Sequence, residues 1–175
     1  MPVAADINEP LIREYITRGV SDVFKTMLGH QPVFVGAVHE EKNIKPTAGP
    51  ANGSKTFVVG TVGFLGDANG LIYLYLEEPF AQLCTCQLLG MSAAELGKAG
   101  DEAINDAIGE LTNMTAGSFK NGLCDSGYHC KLTIPSILRG SNFSIEPISS
   151  ATRYVYHYES AGQKLVADIL LKTND

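Results

Sequence analysis

The chain has 175 residues, 45% of them hydrophobic and 18% charged, an ordinary globular composition for about one domain. A formal charge of −6 and 13 scattered basic residues argue against nucleic acid or anionic membrane as the main partner, since both are held by clustered Lys and Arg. No apolar run approaches the roughly 18 residues of a membrane span, and "MPVAADINEP" lacks the basic and apolar regions of a signal peptide, so a single cytoplasmic domain over 1–175 is expected.

In chain order, Asn8 reads as an N-cap and Pro10 as an early helical proline. Leu11, Ile12, Tyr15, Ile16, Val20, Val23, Phe24 and Met27 follow at helical spacing, which predicts a first helix ending near Gly29. "PVFVGAVH" reads as a strand, and the polar stretch from Glu40 to Lys55 as a mobile loop. Two β-rich runs flank "GDANG", a strong hairpin signal. Pro79 opens a short second helix that stops at Gly90, and Asp101 reads as the cap of a long third helix running to about Gly122. "HCKLTIP", "NFSIEPIS" and a last hairpin turning at Ser160 to Gln163 complete the chain. Both halves run helix, strand, hairpin, which gives an α+β fold: an antiparallel sheet with three helices packed on it and internal pseudo-symmetry.

Cys84, Cys86, Cys124 and Cys130 match none of the common zinc or redox spacings and are read as free thiols, with no metal site. His30, His39, His129 and His157 form no ligand pair at helical spacing.

The third helix carries the informative pattern. At about 100° per residue, Ile104, Ile108, Leu111, Thr115 and Ser118 share one side, flanked by Ala107 and Met114. Asp106, Glu110, Asn113 and Gly117 share the opposite side, with Gly109 and Ala116 at the border. A solvated face is the ordinary explanation of two acids on a helix. Asn and Gly are poor choices for such a face, however, and small residues around a few polar ones leave a ledge that another backbone can approach. No Cys, Ser or His stands in the stripe beside a base, so covalent catalysis has no nucleophile. An amide donates and accepts hydrogen bonds and can hold a water in a fixed orientation, as a glutamine does in GTPases.

"DAIGELTNMTAG", followed by "TIPSILRG" with Pro135, resembles the CheC/CheX/FliY family of chemotaxis phosphatases. The family motif is Asp or Ser, three residues, Glu, two residues, Asn, and a proline some twenty residues later; here 21 residues separate Asn113 from Pro135. "VFKTMLG", "VGTVGFLGDANGLIYLYL" and the order of elements are similar too, and the single copy of the acid and amide set resembles the CheX branch. The resemblance implies a phosphatase acting on the phosphoaspartate of a CheY-like response regulator. Asn113 would orient the attacking water and Glu110 would pair with the regulator's lysine. Asp106, Gly117 and Pro135 would be partner-binding positions. It also implies Mg²⁺ on the regulator, no cofactor bound by this chain, and a homodimer formed through sheet edges.

Two rival readings remain at this point. The chain could dock on a response regulator or flagellar switch component without hydrolysing anything. A nucleotide domain is suggested by glycines 60, 63 and 66, although their spacing is not the dinucleotide fingerprint and they do not open a helix.

Overall fold

The Asn8 side chain accepts a 3.1 Å hydrogen bond from the Leu11 amide, and Pro10 stands in the first turn, where its missing N–H costs nothing. These two residues start α1 (Glu9–Leu28), which closes on Gly29 at φ +77°. The computed structural model describes residues 6–39, 55–141 and 150–173. The expected loop therefore lies outside the described residues except for Lys55, and the "NFSIEPIS" strand lies wholly outside them.

β1 (Val33–His39) follows α1, and β2 (Phe57–Gly66) and β3 (Ala68–Glu77) form the predicted hairpin about Asp67. α2 (Glu78–Leu89) ends at Gly90 as expected. The sequence reading then needs correction, because there are four helices among the described residues. "AAELGKA" forms α3 (Ala93–Ala99), started by a capping box in which Ser92 and Glu95 each accept the other's backbone N–H. Gly100, not Asp101, occupies the cap of the long helix α4 (Asp101–Asp125) and does so without a side-chain hydrogen bond.

After α4 come β4 (Cys130–Leu132), the unanticipated β5 (Ser136–Gly140), β6 (Thr152–Ser160) and β7 (Gln163–Thr173). The last hairpin turns at Ala161 and Gly162, at φ +51° and +72°, the left-handed pair that suits the twist of its strands.

All seven strands among the described residues join one antiparallel sheet in the order β1, β6, β7, β3, β2, β4, with β5 also on β2. The order has a pseudo-two-fold centre between β3 and β7. The first strand of each hairpin, β2 or β6, pairs with the single strand contributed by the other half. The helices cover one face, burying Val58, Val62, Ile72, Leu74, Tyr156 and Ile169 beneath Ile16, Phe24, Ile108 and Phe119. On the other face Phe57, Val59, Tyr73, Tyr75 and Leu170 form a second cluster. Beside it Arg153 donates to Asp168 at 3.0 and 2.6 Å, and Tyr75 adds a third hydrogen bond to the same carboxylate at 3.1 Å. Burial first, and then the Asp168 charge, push the Tyr75 hydroxyl above its ordinary pKa.

Candidate functional site

α4 is held from three sides. Ile104, Ile108 and Leu111 are buried in the main core, as the helical period predicted, whereas Phe119 joins them unexpectedly and Ser118, expected on that side, is half-buried. Buried Thr112 and Thr115 donate their hydroxyls back to the Ile108 and Leu111 carbonyls at 2.6 and 2.8 Å, so neither is left unpaired. Thr112 lies directly on Gly60 of β2, where a side-chain carbon would overlap it. Against α1, Gly122 lies under the Tyr15 ring, and Gly19 under the Thr115 carbonyl and the Ser118 side chain. These small residues let the helices and sheet approach closely.

The outward side holds the predicted stripe. Asp106 and Glu110 are exposed, and Asn113 and Gly117 are half-buried. None of the three polar side chains takes part in a hydrogen bond or ion pair among the described residues. A Cβ at Gly117 would meet nothing within 4 Å, so the ledge is open there. Gly109 and Ala116, expected at the border, are instead buried.

The stripe borders β5 along a regular seam. Arg139 donates to Asn105 Oδ1 at 2.9 Å, and a Cβ at Gly109 would stand 4.0 Å from Ile137 Cδ1. Four helical residues rise about 6 Å and two strand residues about 6.7 Å, so the two elements advance in step. Thr112 rests on Gly60, and Pro135 lies between the strand partners of Thr61 and Phe64, so Asn113 and Pro135 border the same stretch of β2.

Pro135 does not end a strand, as its position after "HCKLTI" suggested. β4 and β5 both run antiparallel to β2, with Phe64 opposite Leu132 and Thr61 opposite Ser136. Thr133 is tied to Gly63 by two hydrogen bonds of 2.8 and 2.9 Å. Two residues, Ile134 and Pro135, therefore face the single Val62: the edge is one strand interrupted by a β-bulge. Pro135 is half-buried, and its lack of an N–H is tolerated in a bulge. Ile134 is thrown outward and is 89% exposed.

Sequence reasoning missed two residues of this region. Arg139 reaches Glu78 at 3.4 Å and Asp101 at 3.8 Å as well as Asn105, joining β5 to the starts of α2 and α4. Its signal was that it is the sole basic residue between Lys131 and Arg153. Ile134 had a weaker signal, a large apolar residue directly before a proline at a strand edge.

Chemically, the stripe offers two carboxylates free to meet a cation and an amide free to hold a water. Among the described residues no three His, Cys, Asp or Glu converge as metal ligands. No described helix is long and apolar enough to cross a membrane.

The family description "Chemotaxis phosphatase CheX" matches residues 58–159, a span running from β2 into β6 that includes the whole stripe and Pro135. The CheY-P phosphatase CheX of Thermotoga maritima is 33% identical over 90 residues, which are 51% of this chain and 56% of that protein. The aligned part thus spans about half the length of this curated relative. A crystal structure of the chemotaxis protein CheX from Desulfovibrio desulfuricans superposes with a TM-score of 0.76 at 20% identity, over 92% of this chain and 99% of that one. A CheX–CheY–BeF3–Mg²⁺ complex from Borrelia burgdorferi contains a chain matching at a TM-score of 0.71 and 18% identity, over 91% of this chain and 96% of that one. At such identities the two structures speak for the fold, and the match over 58–159 speaks for descent: the chain belongs to the chemotaxis phosphatase CheX family.

Proposed function

We propose that this chain hydrolyses the phosphoaspartate of a CheY-like response regulator and supplies one half of a composite active site. The observation that carries the reading is the state of Asn113: a half-buried amide with no partner among the described residues, one turn from the exposed Glu110. The curated relative's name, CheY-P phosphatase, and the solved complex of a fold relative with CheY support the choice of partner.

In this mechanism Asn113 enters the regulator's cleft and holds a water in line with the phosphorus. The water oxygen forms a new bond to phosphorus, and the bond between phosphorus and the aspartyl oxygen breaks. Inorganic phosphate carries away the water's proton, and the regulator regains a free carboxylate. A neutral amide suits this role because a carboxylate in its place would repel the phosphoryl oxygens. Glu110 pairs with the regulator's lysine and fixes the register of the complex. Asp106 and Gly117 flank the contact, the latter as a surface for close approach. The Mg²⁺ that the family resemblance implies would be held by the regulator.

The test is the decay of phosphorylated regulator at substoichiometric ratios of this protein. Asn113→Ala should lower kcat about 100- to 1,000-fold, the worth of one preorganised hydrogen-bonding group, with an unchanged circular dichroism spectrum. Activity equal to the parent's would sink the assignment. Protection or binding seen at stoichiometric ratio alone would favour a docking module instead.

A further inference from the structure

The bulge that holds Pro135 also pushes out Ile134, at 89% the most exposed large hydrophobic residue described. A strand continued without the extra residue would put one side chain, not two, opposite Val62. We propose that Ile134 is the apolar anchor of the docking surface and enters an apolar depression of the receiver domain beside its phosphoaspartate cleft. This rests on the phosphatase reading above and names the contact that would give that reaction its partner affinity.

Three features favour this occupant. Ile134 and Pro135 lie between the strand partners of Thr61 and Phe64, and Thr112 rests on Gly60 of the same strand, so Ile134 and the Asn113 amide border one stretch of the sheet edge. The polar stripe and this side chain together make a small surface with charge on one side and one aliphatic group on the other. In a short-lived complex of under about 1,200 Å², one desolvated aliphatic anchor carries a large share of the affinity. Pairing of a second copy's strand at this point is opposed by the bulge, which breaks the register, and by Pro135, which has no N–H to offer.

The molecule also contains its own control. The opposite edge, β1, is bulged at the pseudo-equivalent place, between Phe34 and Gly36, and exposes Val35 at 57%. The neighbouring helix there, α1, lacks the acid and amide set. The same backbone relief thus occurs twice, once beside the chemistry and once away from it.

The experiment compares the parent with Ile134→Ser, Ile134→Val and Val35→Ser, using phosphorylated regulator for turnover and unphosphorylated regulator in a calorimetric titration. Ile134→Ser should raise KM and Kd about tenfold, the ordinary cost of an interface anchor, with kcat within twofold of the parent. Ile134→Val should restore most of the loss, and Val35→Ser should change neither constant. Melting temperature should be unaffected, because the side chain has little packing to lose. Unchanged KM and Kd in Ile134→Ser would overturn the proposal, as would a change confined to sedimentation mass, which would assign the residue to contact between copies. If the parent bound the regulator without turnover, the phosphatase reading would fail while Kd still decided the anchor. A parent that neither bound nor hydrolysed any regulator would sink both.

Discussion

Arg139 on β5 donates a 2.9 Å hydrogen bond to Asn105 on α4, about two turns before Asn113. This contact, with the ion pairs to Glu78 and Asp101, sets where the stripe stands along the strand edge. Arg139→Ala should cost about 1–2 kcal/mol of stability in urea unfolding, the low end for a charge-assisted hydrogen bond because the guanidinium remains partly in water. Arg139→Lys should recover less than half, since an ammonium lacks the planar fork that reaches several acceptors. A loss below 0.5 kcal/mol, roughly the level of an ordinary surface change, would show that the seam is held by apolar packing alone.

Glu110 is exposed and has no partner among the described residues, so its replacement should leave the melting temperature unchanged. Glu110→Gln should raise KM roughly 3- to 30-fold with kcat little affected, as loss of a charge pair across an interface does. Added salt should raise the parent's KM more steeply than the variant's, because only the parent has an attraction to screen. A fall in kcat at constant KM would move Glu110 from docking to the reacting centre.

The two glycines of α4 nearest its C-terminal half should respond oppositely to Ala. At Gly122 a Cβ would come within 2.5 Å of the buried Tyr15 ring, so Gly122→Ala should destabilise by about 1–3 kcal/mol despite its better helix propensity. At Gly117 the space is open, and Gly117→Ala should stabilise by up to about 1 kcal/mol. The same change should raise KM if a partner's backbone uses that ledge. Thermal unfolding and steady-state kinetics on the two variants separate folding from docking.

Asp168 is 1% exposed and receives two guanidinium hydrogen bonds and the Tyr75 hydroxyl on the sheet face away from α4. Asp168→Ala should cost about 3–5 kcal/mol, since it strips the guanidinium of its buried carboxylate. At temperatures where the variant is folded, kcat should equal the parent's. A lowered kcat in fully folded protein would indicate coupling through the sheet.

Much of this was legible because it is local. Asn8 and Gly29 bound α1, "GDANG" turns the first hairpin, and the 3.6-residue period separates Ile108 and Leu111 from Glu110 and Asn113. α3 was missed because seven residues carry too little periodicity, although its Ser92 and Glu95 capping box could be read. β5 was missed for a different reason: "SILRG" becomes a strand by pairing with β2, some 80 residues earlier, and no local pattern encodes that register. The burial of Gly109, beside Ile137, has the same cause, while Ala116 joins the main core. A helical wheel gives the direction of the main core, but not the strand that closes on the helix flank.

Thr112, the residue before Asn113, sits in a notch of β2 that exists only because residue 60 has no side chain. The height at which the amide protrudes from the surface is therefore decided by an atom that is missing from the opposite half of the pseudo-dimer. Changes at position 60 would retune which visitors the amide can reach, without altering a single group those visitors touch.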